Sequence, residues 1–125
     1  MATPSELPKA ITLSIQIAKV VREKFELSEE CSQLARQCDV IQAFLELNEV
    51  ALRKQPLIAV LQSQLEQIQA YLMSHIAWKF LRNPMFQLSF HKKIPKYTQD
   101  LADWVMLAIL TISVNPSACI GLTRN

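Results

Sequence analysis

Apolar residues recur along most of this chain at intervals of three and four, the spacing that lines them up on one face of a helix. In the first run, Leu7, Ile11, Ser14, Ala18, Val21 and Phe25 keep that rhythm. Lys9, Thr12, Gln16, Lys19 and Glu23 form an opposing polar stripe. Pro8 suits a first helical turn, where its missing N–H costs nothing, so a helix is predicted over about 7–25. Ala10, Leu13, Ile17 and Val20 flank the stripe and spread the apolar arc beyond half the circumference. That is wider than packing on one core requires, and it leaves a spare surface for membrane insertion or for a second subunit. The competing account is ordinary packing inside a bundle.

Ser28 reads as an N-cap, with Glu29 and Glu30 in the first turn where the helix dipole favours anions. Cys31, Leu34, Cys38, Ile41 and Leu45 follow at heptad spacing, predicting a second helix over about 28–52. Pro56 opens a third, over about 56–82, with Leu57, Leu61, Leu65, Ile68, Leu72 and Ile76 on its apolar face and Asn83-Pro84 as its stop. Gln62, Gln64, Glu66, Gln67 and Gln69 supply the wet side. Met85 to Lys93 reads as a basic aromatic connector holding at most a short helical turn around Phe86 to Phe90. A fourth helix is predicted over about 95–114, between Pro95 and Pro116. Its residues Leu101 to Val114 are apolar on every side, which predicts the most enclosed helix of the set. Short connections make neighbouring helices antiparallel. The expectation is therefore all-α: an antiparallel four-helix bundle over 7–115, with a leading segment at 1–6 and a tail or linker at 116–125.

Composition agrees. The chain has 125 residues, half of them apolar, and one glycine, Gly121, which leaves hairpin turns without their usual residue. Cys31 and Cys38 sit about 10 Å apart along a helix axis, beyond disulfide reach, and read as reduced core residues of a cytosolic protein. The N-terminus MATPSELPK has no signal-peptide layout. Trp104 to Thr123 is uncharged, but Asn115-Pro116-Ser117 interrupts it, and Leu101 to Val114 is too short to cross about 30 Å of hydrocarbon.

Charge changes the picture more. From Gln67 to Gln99 the chain runs 33 residues without Asp or Glu, while carrying Lys79, Arg82, Lys92, Lys93 and Lys96. Trp78, Phe80, Phe86, Phe90 and Tyr97 are interspersed. A cationic segment with aromatics needs an anionic partner, and the alternative is a solvated basic loop. Each cation near an acidic leaflet is favoured by ~1 kcal/mol, so Lys79, Arg82, Lys92, Lys93 and Lys96 act together as a recruiting set, with Phe86 and Phe90 seated among headgroups. On the first helix Lys9, Lys19 and Arg22 border Leu13, Ile17 and Val20, the insertion or oligomer candidates. Nucleic acid is disfavoured: Arg82 is the one arginine of the basic segment, and no reader motif appears.

Catalytic patterns are missing. There is no phosphate-cradling glycine loop, no GxSxG and no HExxH or ExxH. Glu29-Glu30 and Asp100-x-x-Asp103 are first-turn carboxylates. No catalytic residue, metal or cofactor is expected.

The order and content resemble the HeLo and HeLo-like family, the N-terminal four-helix bundles of mixed-lineage kinase domain-like pseudokinases and their relatives. The likeness covers about residues 7 to 114. It runs through Ala10-Ile-Thr-Leu-Ser-Ile-Gln-Ile, Glu30-Cys-Ser-Gln-Leu-Ala-Arg36, the Leu57 to Leu72 helix, Tyr71-Leu72 to Trp78, the Phe86/Phe90 connector and Leu101-x-x-Trp104. The coiled-coil domains of plant nucleotide-binding immune receptors share a similar plan. The resemblance implies a cell-death effector of necroptosis-like or immune type: cytoplasmic, held by a regulatory C-terminal domain, and on release oligomerising at the plasma membrane on acidic phospholipid. No lipid-contact lysine of that family aligns residue by residue. The alternative is a signalling bundle that associates with proteins and leaves membranes untouched.

Overall fold

The computed structural model describes the backbone of residues 6–25, 29–77 and 84–114, and the side chains of 6–25, 29–74 and 92–113. These residues are all-helical, with no strand among them. Five helices follow in order: α1 (Glu6–Lys24), α2 (Glu29–Leu47), α3 (Glu49–Leu52), α4 (Leu57–Ala77) and α5 (Pro84–Val114). The expected end of the third long helix at 78–82 and the tail 116–125 lie outside the described residues.

The heptad positions form the core they predict. Cys31, Leu34, Cys38, Ile41 and Leu45 of α2 are buried, as are Leu61, Leu65, Ile68 and Leu72 of α4. On α1, Leu7, Ala18 and Val21 are buried, and so is Ser14, whose hydroxyl donates to the Ala10 carbonyl at 2.9 Å. That local bond lets a hydroxyl sit in an apolar interior without an orphaned donor.

The main pairings are α1 with α2, α1 with α4 and α2 with α5, with a lighter α4–α5 seam. Three contacts orient that seam. Lys93 and Tyr97 of α5 meet Tyr71 near the end of α4, whereas the Trp104 indole N–H donates to the Leu57 carbonyl at its start (2.8 Å). These two helices are antiparallel. The Gln69 amide on α4 donates to Gln16 on α1 (3.0 Å), and Glu66 shares a groove with Pro8, Lys9 and Thr12, earlier on α1. Those two therefore run the same way.

Three expectations change. The second helix does not run through to 52: it stops at Leu47 and resumes as α3. Asn48 adopts φ −117°, ψ 27°, and its backbone N–H (3.1 Å) and side-chain amide (2.8 Å) both donate to the Phe44 carbonyl. The last helix does not begin at Pro95 but at Pro84, and it absorbs the expected connector. A proline inside a helix costs about 3 kcal/mol, and tertiary contacts on both sides of it offset this. Ile94 is fully buried, Lys93 and Tyr97 both contact Tyr71, and the Thr98 hydroxyl caps the Ile94 carbonyl at 3.1 Å.

The third change concerns enclosure. Leu101, Trp104 and Ala108 are buried, but Met106, Leu107, Ile109 and Leu110 are 61, 51, 43 and 57% exposed. The stretch predicted as the most enclosed helix shows its outer side to solvent, because α2 and α4 cover only one side of it. No helix among the described residues is long and apolar enough to cross a membrane.

Candidate functional site

The basic set is split by its surroundings. Lys92, Lys93 and Lys96 all lie exposed on α5. Continuation of the helix through Pro95 fixes their register: Lys92 and Lys96 stand one turn apart, and Lys93 turns toward α4. The Lys93 ammonium sits 5.5 Å from the Tyr71 ring centroid, an exposed cation–π contact worth about 0.5–1 kcal/mol. Lys96 pairs with Asp100 one turn later at 3.1 Å, so part of its charge is already answered within the helix. Tyr71 and Tyr97 meet edge to face at 5.7 Å. Burial first, then the neighbouring Tyr71 and Asp100, raises the Tyr97 phenol above its usual range. Phe86 and Phe90 fall within the α5 backbone, their side chains outside the described set, and Lys79 and Arg82 lie outside the described residues altogether.

The α1 candidates do not form one face. Ile17 is 1% exposed and belongs to the core, which removes it from the insertion set. Leu13 is half-buried against the core, and Val20 is half-buried too. The wide apolar arc packs against two neighbours, α2 and α4, and leaves Ile15 45% exposed. Lys9 and Lys19 are exposed. Arg22 forks onto Asp39 of α2, Nη1 to Oδ1 at 3.3 Å and Nη2 to Oδ2 at 2.5 Å. Hydrogen bonding to Asp39 raises the Arg22 pKa, against the opposing effect of burial. The pair is half exposed and contributes at most about 1 kcal/mol. Beside it, Arg36 approaches Glu29 at 3.6 Å across a cleft of about 400 Å³ lined also by Val21 and Ser32. Both guanidiniums there already face carboxylates.

Sequence reasoning missed an apolar surface at the opposite end. Phe44 meets Trp104 edge to face at 6.0 Å, which brings the last turn of α2 beside the last third of α5. One turn beyond Phe44, Leu47 is 84% exposed, and Val50 follows at 82%. The all-round apolarity of Leu101 to Val114 was its signal in the sequence, and it was read as burial. Leu47 and Val50 carried none, because their exposure follows from the break at Asn48.

Cys31 and Cys38 are buried free thiols. Burial pushes the Cys38 thiol up to about 12, which keeps it neutral and unreactive at physiological pH. Among the described residues no three His, Cys, Asp or Glu side chains cluster as a metal site would. Comparison of the chain with protein-family models, with curated proteins and with solved structures finds no match.

Proposed function

We propose that the chain is a non-enzymatic effector module that self-associates and binds acidic membrane surfaces, with the cell-death role that the HeLo-like resemblance implies. Its architecture in this reading is a four-helix bundle of α1, α2, α4 and α5, with consecutive long helices alternating in direction. The observation that carries the proposal is the exposure of Lys92, Lys93 and Lys96 on one helix, inside a stretch free of carboxylates from Gln67 to Gln99. At ~1 kcal/mol per cation, three lysines strengthen binding to an acidic leaflet about a hundredfold.

The test is sedimentation with vesicles of phosphatidylcholine, with and without phosphatidylserine. The chain is expected on the acidic vesicles, with binding that falls as salt rises. Reversing Lys92, Lys93 and Lys96 to Glu is expected to cost at least the same ~100-fold, with the helical circular dichroism unchanged. Equal binding to neutral and acidic vesicles overturns the proposal. The second reading, a protein-association module, draws on exposed Leu47 and Val50. Expression of residues 1–125 in cells separates the two: killing with membrane localisation supports the first, and self-association without it the second.

A further inference from the structure

We propose that the outward side of the last third of α5, built on Met106, Leu107, Ile109 and Leu110, is the surface that enters the bilayer, in place of α1. The inference rests on the membrane reading above and names the inserting element. Charge alone gives reversible attachment, and stable membrane attachment of a peripheral protein takes two signals, one of them apolar. The lysines supply the first. For the second, α1 offers one exposed aliphatic, Ile15 at 45%, because Ile17 is core and Leu13 and Val20 are half-buried. On α5, four large aliphatic side chains stand between 43 and 61% exposed over five residues. No ionisable side chain occurs from Trp104 to Val114.

Both signals lie along one stripe. At 100° per residue, Lys92, Lys96, Met106 and Leu110 fall within an arc of about 80°, spread over about 27 Å of axis. Leu107 lies about 20° beyond that arc, and Ile109 about 60° beyond its other edge. A helix laid in the plane of the interface on this stripe places cations among headgroups at one end and aliphatics among acyl chains at the other. Gln99 and Asp103 lie between, the Gln99 amide donating to Asp103 at 2.8 Å. A second copy fits the stripe less well, because it would have to bring carboxylates to Lys92 and Lys96. The stripe itself offers only Asp103, and Asp100 beside it is already held by Lys96. An acidic lipid surface supplies both the anions and the apolar phase.

The test places an environment-sensitive fluorophore on Ser113→Cys, which leaves every aliphatic in place, and in a separate chain on Thr12→Cys of α1. Both are made in a Cys119→Ser background, where Cys31 and Cys38 are shielded by burial. On acidic vesicles the probe at 113 is expected to shift blue and to be quenched from within the lipid, while the probe at 12 stays in water. The double change Met106→Glu and Leu110→Glu is expected to weaken partitioning ~tenfold or more, with thermal stability retained because both sites are exposed. Asp103→Asn is expected to tighten it. If the chain binds acidic vesicles while the probe at 113 remains in water, or the probe at 12 enters instead, this inference falls and the lysine-driven reading stands. If the probe at 113 shifts with protein concentration in the absence of lipid, and the molecular mass doubles, the face joins two copies and the inference falls. Absence of binding to either vesicle overturns both.

Discussion

Cys38 shows how one buried side chain ties the fold to pH. Its thiol is raised from 9.0 to about 12 by burial, with Asp39 adding to the shift and Arg22 opposing it. A raised acid group favours the folded state below the unfolded pKa and loses that contribution as pH climbs from 9.0 toward 12. Between those values the folded chain holds a proton that the unfolded chain has released. Stability should fall there by up to about 1.4 kcal/mol per pH unit, and urea denaturation of Cys38→Ala beside the parent chain should show a shallower alkaline slope. Trp104 makes the second residue-scale prediction. Its indole N–H reaches the Leu57 carbonyl at 2.8 Å while its ring meets Phe44. Trp104→Phe keeps much of the packing and loses the bond, for a cost of about 1–3 kcal/mol, and Trp104→Ala should cost about 3–5 kcal/mol, read as lowered denaturation midpoints. The all-apolar run from Leu101 to Val114 predicted its burial, but no sequence signal pointed to Leu57 as its partner.

At the scale of the element, α5 is where local rules and tertiary packing disagree. Pro95 and the polar run around it favour a boundary, and the helix passes through because Ile94, Tyr97 and Leu101 are held against the rest of the molecule. A proline tolerated on those terms is a standing cost. Pro95→Ala should therefore raise stability by about 1–3 kcal/mol in chemical denaturation, and a neutral or negative result would mean the segment does not act as continuous helix. Asn48 is the converse case. The heptad continues past it to Leu52, which is buried, yet α2 stops at Leu47, where Asn48 leaves helical geometry. Periodicity marks which residues seek the core, whereas backbone continuity depends on who satisfies each carbonyl. The first kind of information was legible across α1, α2 and α4, and the second was not.

For the whole molecule, the consequential feature is lengthwise polarity. Lysines occupy the early part of described α5, and exposed aliphatics occupy its end. The same arrangement makes the response to salt and the response to apolar substitution separable. High salt should weaken the lysine contribution and leave the aliphatic one, since only charge interactions are screened. Binding to acidic vesicles at raised salt should accordingly become more sensitive to Met106→Glu and Leu110→Glu than to the lysine reversals, a ranking that co-sedimentation measures directly. Half of the candidate site was readable as charge along the chain. The apolar half was visible only as composition and was assigned to the interior, because the pattern of a single segment does not state how many neighbours will cover it.

What the chain's order of residues determined by itself is helicity, the inward faces of α1, α2 and α4, and the segregation of charge. All three depend on spacing within a few turns, where geometry is set by the backbone. Which helices became neighbours, whether α5 survived Pro95, and which apolar residues stayed wet were decided only when the helices packed. Those outcomes depend on contacts between residues far apart in sequence, such as Lys93 with Tyr71 and Trp104 with Leu57, and on the limited area that α2 and α4 offer to cover a third helix.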